Sequence, residues 1–466
     1  MSDRDLLQKS ALEQAELIRK RELSSEELTR LYLDRIARLD PALHAFTDVF
    51  RRRALVAARV KDAHRRLRRG AVPPFDGVPI GIKDLNFVRG APTRWGSRAI
   101  PHLTLPFDDH NVAALRRGGF VLVGKLATSE LGAMPVTETD LHPPTRNPWD
   151  RSRSSGGSSG GSGAALAADL LPIAHGSDGA GSIRIPAAFC HLFGFKPSRG
   201  RVRNQFGMKD RHILYTSGPL ARTVDDAAAM LDVLAGIVDG KPHWAPPPPR
   251  PFAEMARHKP RRLKIRMSTR SPLGPVHPEI AAAVEAAGRT LSTLGHDVAE
   301  AALPEGTLEE FLPLWQLQIA QMPILPWRAR HLQPITRWLK DAGKLLKHED
   351  VLARQLAIAA RLQTALDAAD VWLTPTVAQP APRVGAFAAL PPAEAFAQAA
   401  QIGAFTAAFN VTGAPAASLP LALTSDGLPI GVQLGGRLFA DGELLALCRQ
   451  LEEATPWRQR HAPDID

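Results

Sequence analysis

The period of the apolar positions changes along this chain, and the changes mark out its elements. Over "LSSEELTRLYLDRIARLD", Leu28, Tyr32, Ile36 and Leu39 recur at helical spacing. Ser24 stands as N-cap with Glu27 three residues on, the pattern of a capping box, and Leu23 and Leu28 are placed for a hydrophobic staple. From Pro74 onward short apolar runs alternate with helical patterns. "GVPIGIKD" (77 to 84) predicts a strand with Val78, Ile80 and Ile82 on one side. "NVAALRRGGFVLVGKL" predicts a helix, a glycine stop and a buried strand from Phe120 to Val123, and "GAALAADLLPIAHG" predicts a helix and then a strand. "RRLKIRM", the helix "PEIAAAVEAAGRTLSTLG" and the strand "GVQLGG" near residue 431 continue the alternation. Such alternation predicts the α/β class, a sheet covered by helices on both faces.

No period of 20 to 50 residues repeats, and the tract "PHWAPPPPRPF" (242 to 252) reads as a surface loop, because strand and helix texture resumes after it. The economical organisation is one structural unit, with residues 1–70 a helical segment packed on a core formed by 71–466.

Composition narrows the class further. Hydrophobic residues make up 44% of the 466 positions and charged residues 23%, which suits a packed core rather than disorder. Two cysteines, Cys190 and Cys448, are too few for a disulfide framework, the start "MSDRDLLQKS" carries no signal-peptide pattern, and no apolar run reaches membrane-spanning length. A cytoplasmic protein is the expectation. The formal net charge of +11 is concentrated in "RRRALVAARVKDAHRRLRRG" (51 to 70). Leu55, Val56, Val60, His64 and Leu67 fall roughly on one helical face there, with no aromatic stackers in the stretch, so a solvated Arg-rich helix surface is favoured over a nucleic-acid or acidic-membrane patch.

"RSRSSGGSSGGSG" (151 to 163) has the composition of a flexible linker, yet it runs without a polar spacer into the helical "AALAADLL". A second small-residue cluster, "HGSDGAGSIRIP" (175 to 186), follows an apolar strand. Two glycine-rich turns separated by one helix and one strand come to the same edge of a sheet, where open α/β sheets bind ligands. Accessible serine hydroxyls beside backbone N–H groups suit acyl transfer: a nucleophile, and donors for an oxyanion. The serine needs a base. His175, on an apolar strand, reads as a hydrogen-bonded core residue. Lys83, ending "GVPIGIK", reads on its own as a surface lysine, but if desolvated it supplies a neutral amine.

At this point the chain resembles the amidase signature family. The resemblance is carried in order by "GVPIGIKD", "TRNPWDRSRSSGGSSGGSGAALAA", "HGSDGAGSIRIPAAFCHLFGFKPSRGRV", "SGPLARTVDDAAAMLDVLAG", "WLTPT" and "FNVTGAPAASLPLALTSDGLPIGVQLGG", from about residue 24 to 457. It implies one domain around a mixed, twisted sheet and an amidase with a Ser–cis-Ser–Lys triad, working through an acyl-serine intermediate. Ser182 then resembles the nucleophile, Ser158 the bridging serine with a cis bond to Gly157, and Lys83 the base; Ser159 falls within the same supporting turn. The backbone N–H groups of Gly179, Ala180, Gly181 and Ser182 resemble the oxyanion hole, and Asp178 and Arg184 the pair that braces it. Ala180 stands where many members have glycine, which is compatible with the hole if its φ is negative.

The resemblance implies a small-molecule amide as partner, no metal, no organic cofactor, no nucleic acid, and allows a homodimer. Met134 and the segments 203 to 215 and 311 to 345 are candidates for the acyl pocket, with Trp315 and Trp327 its lining. For Trp315, Met322, Trp327 and Trp338 helical core packing is favoured over pocket lining. Two other readings stand beside the amidase. One is the glutaminase component of a tRNA-dependent amidotransferase, which resembles "SIRQP" where this chain has "SIRIP", with Ile185 in place of Gln and no evident glutamine pocket. The other is a non-catalytic basic binding protein.

Overall fold

Pro79–Lys83 and Ile173–Asp178 run side by side in the same direction, with Gly81 opposite Ala174, as the third and fourth strands of an eleven-stranded sheet. The computed structural model describes residues 2–67, 72–204, 212–238, 240, 242–271, 273–303 and 306–463. In chain order the sheet strands are β1 (Phe46–Val49), β2 (Pro79–Lys83), β3 (Val121–Leu126), β4 (Ile173–Asp178), β5 (Phe193–Lys196) and β6 (Thr216–Ala221). They continue as β7 (Lys264–Met267), β8 (Asp297–Glu300), β9 (Val371–Pro375), β10 (Ala416–Leu423) and β11 (Pro429–Gly436). Their spatial order is β1-β3-β2-β4-β6-β5-β10-β11-β9-β7-β8. β3, β2 and β4 are mutually parallel, as are β9, β7 and β8, while the strands between them pair antiparallel. The sheet is therefore mixed, and its central strands are buried on both faces, so they lack the apolar–polar alternation of a half-exposed strand.

The predicted elements fall close to where the sequence puts them. Ser24 caps the helix Ser25–Leu43 with Glu27 completing the capping box, and Leu23 packs against the cluster that holds Leu28. The tract 242 to 252 is largely exposed loop that ends where the short helix Phe252–Met255 begins. The segment before residue 70 is not helical throughout: Phe46–Val49 adds β1 to the sheet edge, antiparallel to β3.

The basic helix Arg51–Leu67 packs by a different face from the one predicted. Val56, Val60 and Leu67 are exposed, and Ala54 and Ala58 are buried against the helix and sheet below. Small side chains let the helix lie close; of the larger apolar residues predicted inward, Leu55 packs against the same cluster, and Val56, Val60 and Leu67 are left outside. Much of its charge is matched on the protein itself: Arg51 pairs with Asp34 at 2.5 Å, Arg59 with Glu26 at 2.9 Å and Lys61 with Asp76 at 3.0 Å. Arg65 bridges Asp62 at 2.8 Å and Asp76 at 2.5 Å. Residues 68 to 70 of the stretch lie outside the described residues, as do 205 to 211 of the pocket segment. No described helix is long and apolar enough to cross a membrane.

Candidate active site

Because β2 and β4 are parallel, their C-terminal ends deliver Lys83 and Asp178 to one edge of the sheet. The Gly/Ser stretch returns to that edge between them, so it joins nothing: Gly156 to Ser159 are buried and lead straight into the helix Gly160–Ala167. That helix starts against protein rather than open space. Gly160 N–H donates to Thr137 Oγ1 at 3.0 Å and Gly161 N–H to Ala127 O at 3.1 Å, so these first-turn donors are satisfied internally. A Cβ at Gly161 would overlap the backbone nitrogen of Ala127, which is why glycine sits there.

Two residues stitch the turns together. Ser159 donates its backbone N–H to Ser182 O at 3.3 Å and its hydroxyl to Ser177 O at 3.2 Å. Lys83 is fully buried, and its Nζ donates to Ser158 Oγ at 2.7 Å and to Ser177 O at 3.3 Å. Burial pushes the Lys83 ammonium well below the ordinary lysine range, and the nearby Asp178 carboxylate offsets this only in part. The Gly157–Ser158 peptide bond is cis. Ser182 is buried to 8% exposure at the wall of a cavity, and its hydroxyl makes no hydrogen bond to a described residue.

Asp178 and Arg184 are fully buried and meet at 2.8 Å. Burial works to raise the Asp178 carboxyl, but the Arg184 guanidinium and its hydrogen bonds prevail and hold it below the usual carboxylate range. The carboxylate accepts N–H groups from Gly181 at 2.7 Å and Ile183 at 3.1 Å, and so shapes the second turn. That contact also corrects the expected oxyanion hole. The N–H of Gly181 is committed to Asp178, which takes it out of the expected set of Gly179, Ala180, Gly181 and Ser182. Ala180 keeps a negative φ, so its methyl group is accommodated without strain.

His175 is buried on β4 as expected, but neither ring nitrogen has a hydrogen-bond partner among the described residues. Burial above all, with the charge of nearby Lys125, pushes its pKa down to about 3, so it is a neutral core residue and not a bonded one.

The cavity at Ser182 holds about 110 Å³ and is apolar: Met134, Ile185, Phe311, Leu314, Trp315 and Phe396 contribute to its lining. Of the predicted pocket residues, Met134 and Trp315 lie at its wall; Trp315 Nε1 donates to Ala133 O at 3.1 Å, and its ring lies over Gly179. Trp327 does not line it. It is 67% exposed in the 3-10 segment Pro326–His331. The charged side chain at the wall, Glu310, is occupied by Arg361 at 2.7 Å and by the N–H of Thr307 at 3.1 Å. Three further residues were not foreseen. Asn410 donates to Asp178 Oδ1 at 2.9 Å and accepts from Arg184 at 2.6 Å, Gln433 accepts from Arg184 at 2.8 Å, and Thr406 donates to Ala180 O at 2.5 Å. Their one sequence signal is that they lie in or beside the quoted "FNVTGAP…GVQLGG" motif. No cluster of three or more His, Cys, Asp or Glu that could hold a metal occurs among the described residues.

A buried lysine, two serine-bearing turns and an apolar cavity at the carboxyl edge of a mixed α/β sheet define a hydrolase-type site. The chain belongs to the amidase signature family: the family model described as Amidase matches residues 27–445. A 6-aminohexanoate-cyclic-dimer hydrolase of Pseudomonas sp. (strain NK87) is 35% identical over 491 residues, covering 99% of this chain and 97% of that one. A solved structure of 6-aminohexanoate cyclic dimer hydrolase complexed with substrate matches with a TM-score of 0.89 at 32% identity, over 99% of this chain and 100% of that one. The native peptide amidase of Stenotrophomonas maltophilia matches with a TM-score of 0.78 at 26% identity, over 98% of this chain and 99% of that one. This chain is an amide C–N hydrolase by family.

Proposed function

We propose that the protein hydrolyses neutral carboxamides bearing an apolar acyl portion, through an acyl-enzyme on Ser182. The observation that carries this is the Lys83–Ser158 contact of 2.7 Å, made by an amine that burial holds toward its neutral form, beside an apolar cavity walled by Ser182. Neutral Lys83 takes the proton of Ser158 as Ser158 takes that of Ser182, and Ser182 Oγ attacks the amide carbonyl. The N–H groups of Gly179, Ala180 and Ser182 receive the developing oxyanion. Ser158 then delivers a proton to the leaving nitrogen, the C–N bond breaks, and water cleaves the ester by the reverse relay. Amine departure needs that proton, so a base that also returns it suits amides. The relay requires the Ser158 and Ser182 hydroxyls to come within hydrogen-bond reach once substrate fills the cavity.

Two features support the neutral, apolar acyl group over glutamine. Ile185, not glutamine, faces the cavity, and the carboxylate at its wall is already paired with Arg361. A free amino acid would leave its ammonium and carboxylate unpaired there, a cost of several kcal/mol on binding.

The test is intact-mass analysis after fluorophosphonate treatment of the wild type and Ser182→Ala, followed by amine release from a panel of amides. One adduct on the wild type and none on Ser182→Ala is expected, with neutral acyl amides turned over and glutamine not. Unchanged labelling of Ser182→Ala would remove Ser182 as nucleophile.

A further inference from the structure

The Ala180–Gly181 peptide is gripped at both ends. Its N–H donates to Asp178 Oδ1 at 2.7 Å, and its C=O accepts from Thr406 Oγ1 at 2.5 Å. Thr406 Oγ1 also lies 3.0 Å from Gly403 O, but a hydroxyl has one hydrogen, and the shorter contact takes it. Thr406 is fully buried, and its own backbone is anchored: its C=O accepts from Arg184 at 3.0 Å, and Phe405 O accepts from Gln433 Nε2 at 2.8 Å. Its side chain is thereby fixed against the turn, so close that a Cβ on Gly181 (φ +125°) would overlap Thr406 Oγ1.

We infer that Thr406 is a positioning residue for the hydrolysis proposed above, its hydroxyl holding the Ala180 carbonyl so that the N–H groups of Ala180 and Ser182 stay aimed at the developing oxyanion. A peptide unit is planar, so fixing its C=O and N–H fixes the plane and narrows the φ and ψ of Ala180 and Gly181 through which the flanking N–H groups are aimed. Without the hydroxyl the Ala180 carbonyl loses its side-chain donor and the plane can tilt toward another. Thr406 touches no substrate atom in this role and acts through Ala180. Its neighbours Gly403, Ala404, Ala407 and Ala408 line the same cavity as Ala180, so the wall that receives the acyl group also carries the residue that sets the turn.

The inference rests on Ser182 as nucleophile, and the test separates the two. Thr406→Val removes the hydroxyl at constant shape, and Thr406→Ser keeps it. Removing an oxyanion donor outright costs about 10²–10³ in kcat, and misaiming donors costs less. Thr406→Val is expected to lose about ten- to a hundredfold in kcat with KM within about twofold, and the second-order rate of fluorophosphonate labelling should fall in parallel. Thr406→Ser should return to within about threefold of wild type. If Thr406→Val does not fold, Thr406→Ala is read the same way. A kcat within twofold of wild type in a folded variant lacking the hydroxyl, or a rise in KM alone, would overturn the assignment. Full activity in Ser182→Ala would instead remove the nucleophile, and with it this role for Thr406, whatever the Thr406 variants show.

Discussion

Lys83 Nζ lies 2.7 Å from Ser158 Oγ, and among the described residues no carboxylate pairs with it. The contrast is Lys125 on the adjacent strand β3, equally buried, whose Nζ meets Asp84 Oδ1 at 2.7 Å and also reaches Thr93 and Asn86. Both lysines are enclosed, but only one has a counter-ion. Enclosure without a counter-ion favours the uncharged amine, the form a base requires.

The pH dependence follows from that sign. Protonated Lys83 cannot accept a proton, so kcat/KM should rise with pH through a single ionisation well below the ordinary lysine value and then level off. Lys83→Ala should lower kcat/KM by about 10²–10⁴ and remove that ionisation from the profile. Lys83→Arg should not rescue it, because a guanidinium stays charged. Steady-state kinetics across pH 5 to 10 decide this (roughly the span covering perturbed amines); a profile that falls over the range, or one unchanged in Lys83→Ala, would reject Lys83 as base.

The Asp178–Arg184 pair predicts a stability effect. Arg184→Met leaves a carboxylate buried without its cation, a change that costs about 3–5 kcal/mol. Asp178 is held below its ordinary pKa of 3.8, so its contribution is complete above that value and is lost as pH falls through the depressed folded-state value. Denaturant unfolding should therefore show the largest gap between Arg184→Met and wild type at neutral pH, narrowing in acid. An equal gap at pH 7 and in strong acid would mean the loss is one of packing alone.

The cavity predicts selectivity. Ala408 lines it beside Phe396 and Val411, and Ala408→Phe would fill space intended for the acyl group. Amides with longer acyl chains should lose about tenfold or more in kcat/KM, since a methylene's room is worth about 10–200-fold, while the shortest amides change little. A uniform loss along a chain-length series would show that the acyl group binds elsewhere.

Some of this was legible in the sequence for a physical reason, and some was not. Lys83, Ser158 and Ser182 sit in short local patterns, where a strand end or a small-residue turn is itself the functional unit. Thr406 and Asn410 act on partners 226 and 232 residues away, and no local period records such a contact. Trp327 was misplaced because apolarity gives a side chain's affinity for burial, not its address. The basic helix was turned to the wrong face because periodicity weights large apolar residues, whereas close approach selected Ala54 and Ala58. β1, four residues between two helices, is too short to carry a period of its own.

Gly161 tests whether "GGSSGGSG" is a tether or a fitted part. In a flexible tether, glycine to alanine is neutral or stabilises by about 0.4–1 kcal/mol, by restricting the unfolded chain. Here a Cβ at position 161 would overlap Ala127 N and stand 2.5 Å from Ala45 O, backbone atoms that cannot swing aside. The helix Gly160–Ala167 would have to back away from the end of β3, carrying Ser158 and Ser159 with it. Overpacking of this kind costs about 1–3 kcal/mol, so Gly161→Ala should lower the melting temperature and reduce kcat more than tenfold. Gly163→Ala is the control on the same helix, because its Cβ would meet the Pro186 Cβ at 3.1 Å and Cys190 Sγ at 3.2 Å, contacts that small shifts relieve. Thermal melts and turnover of the two variants side by side give the answer: equal, mild effects would return the segment to the status of a spacer.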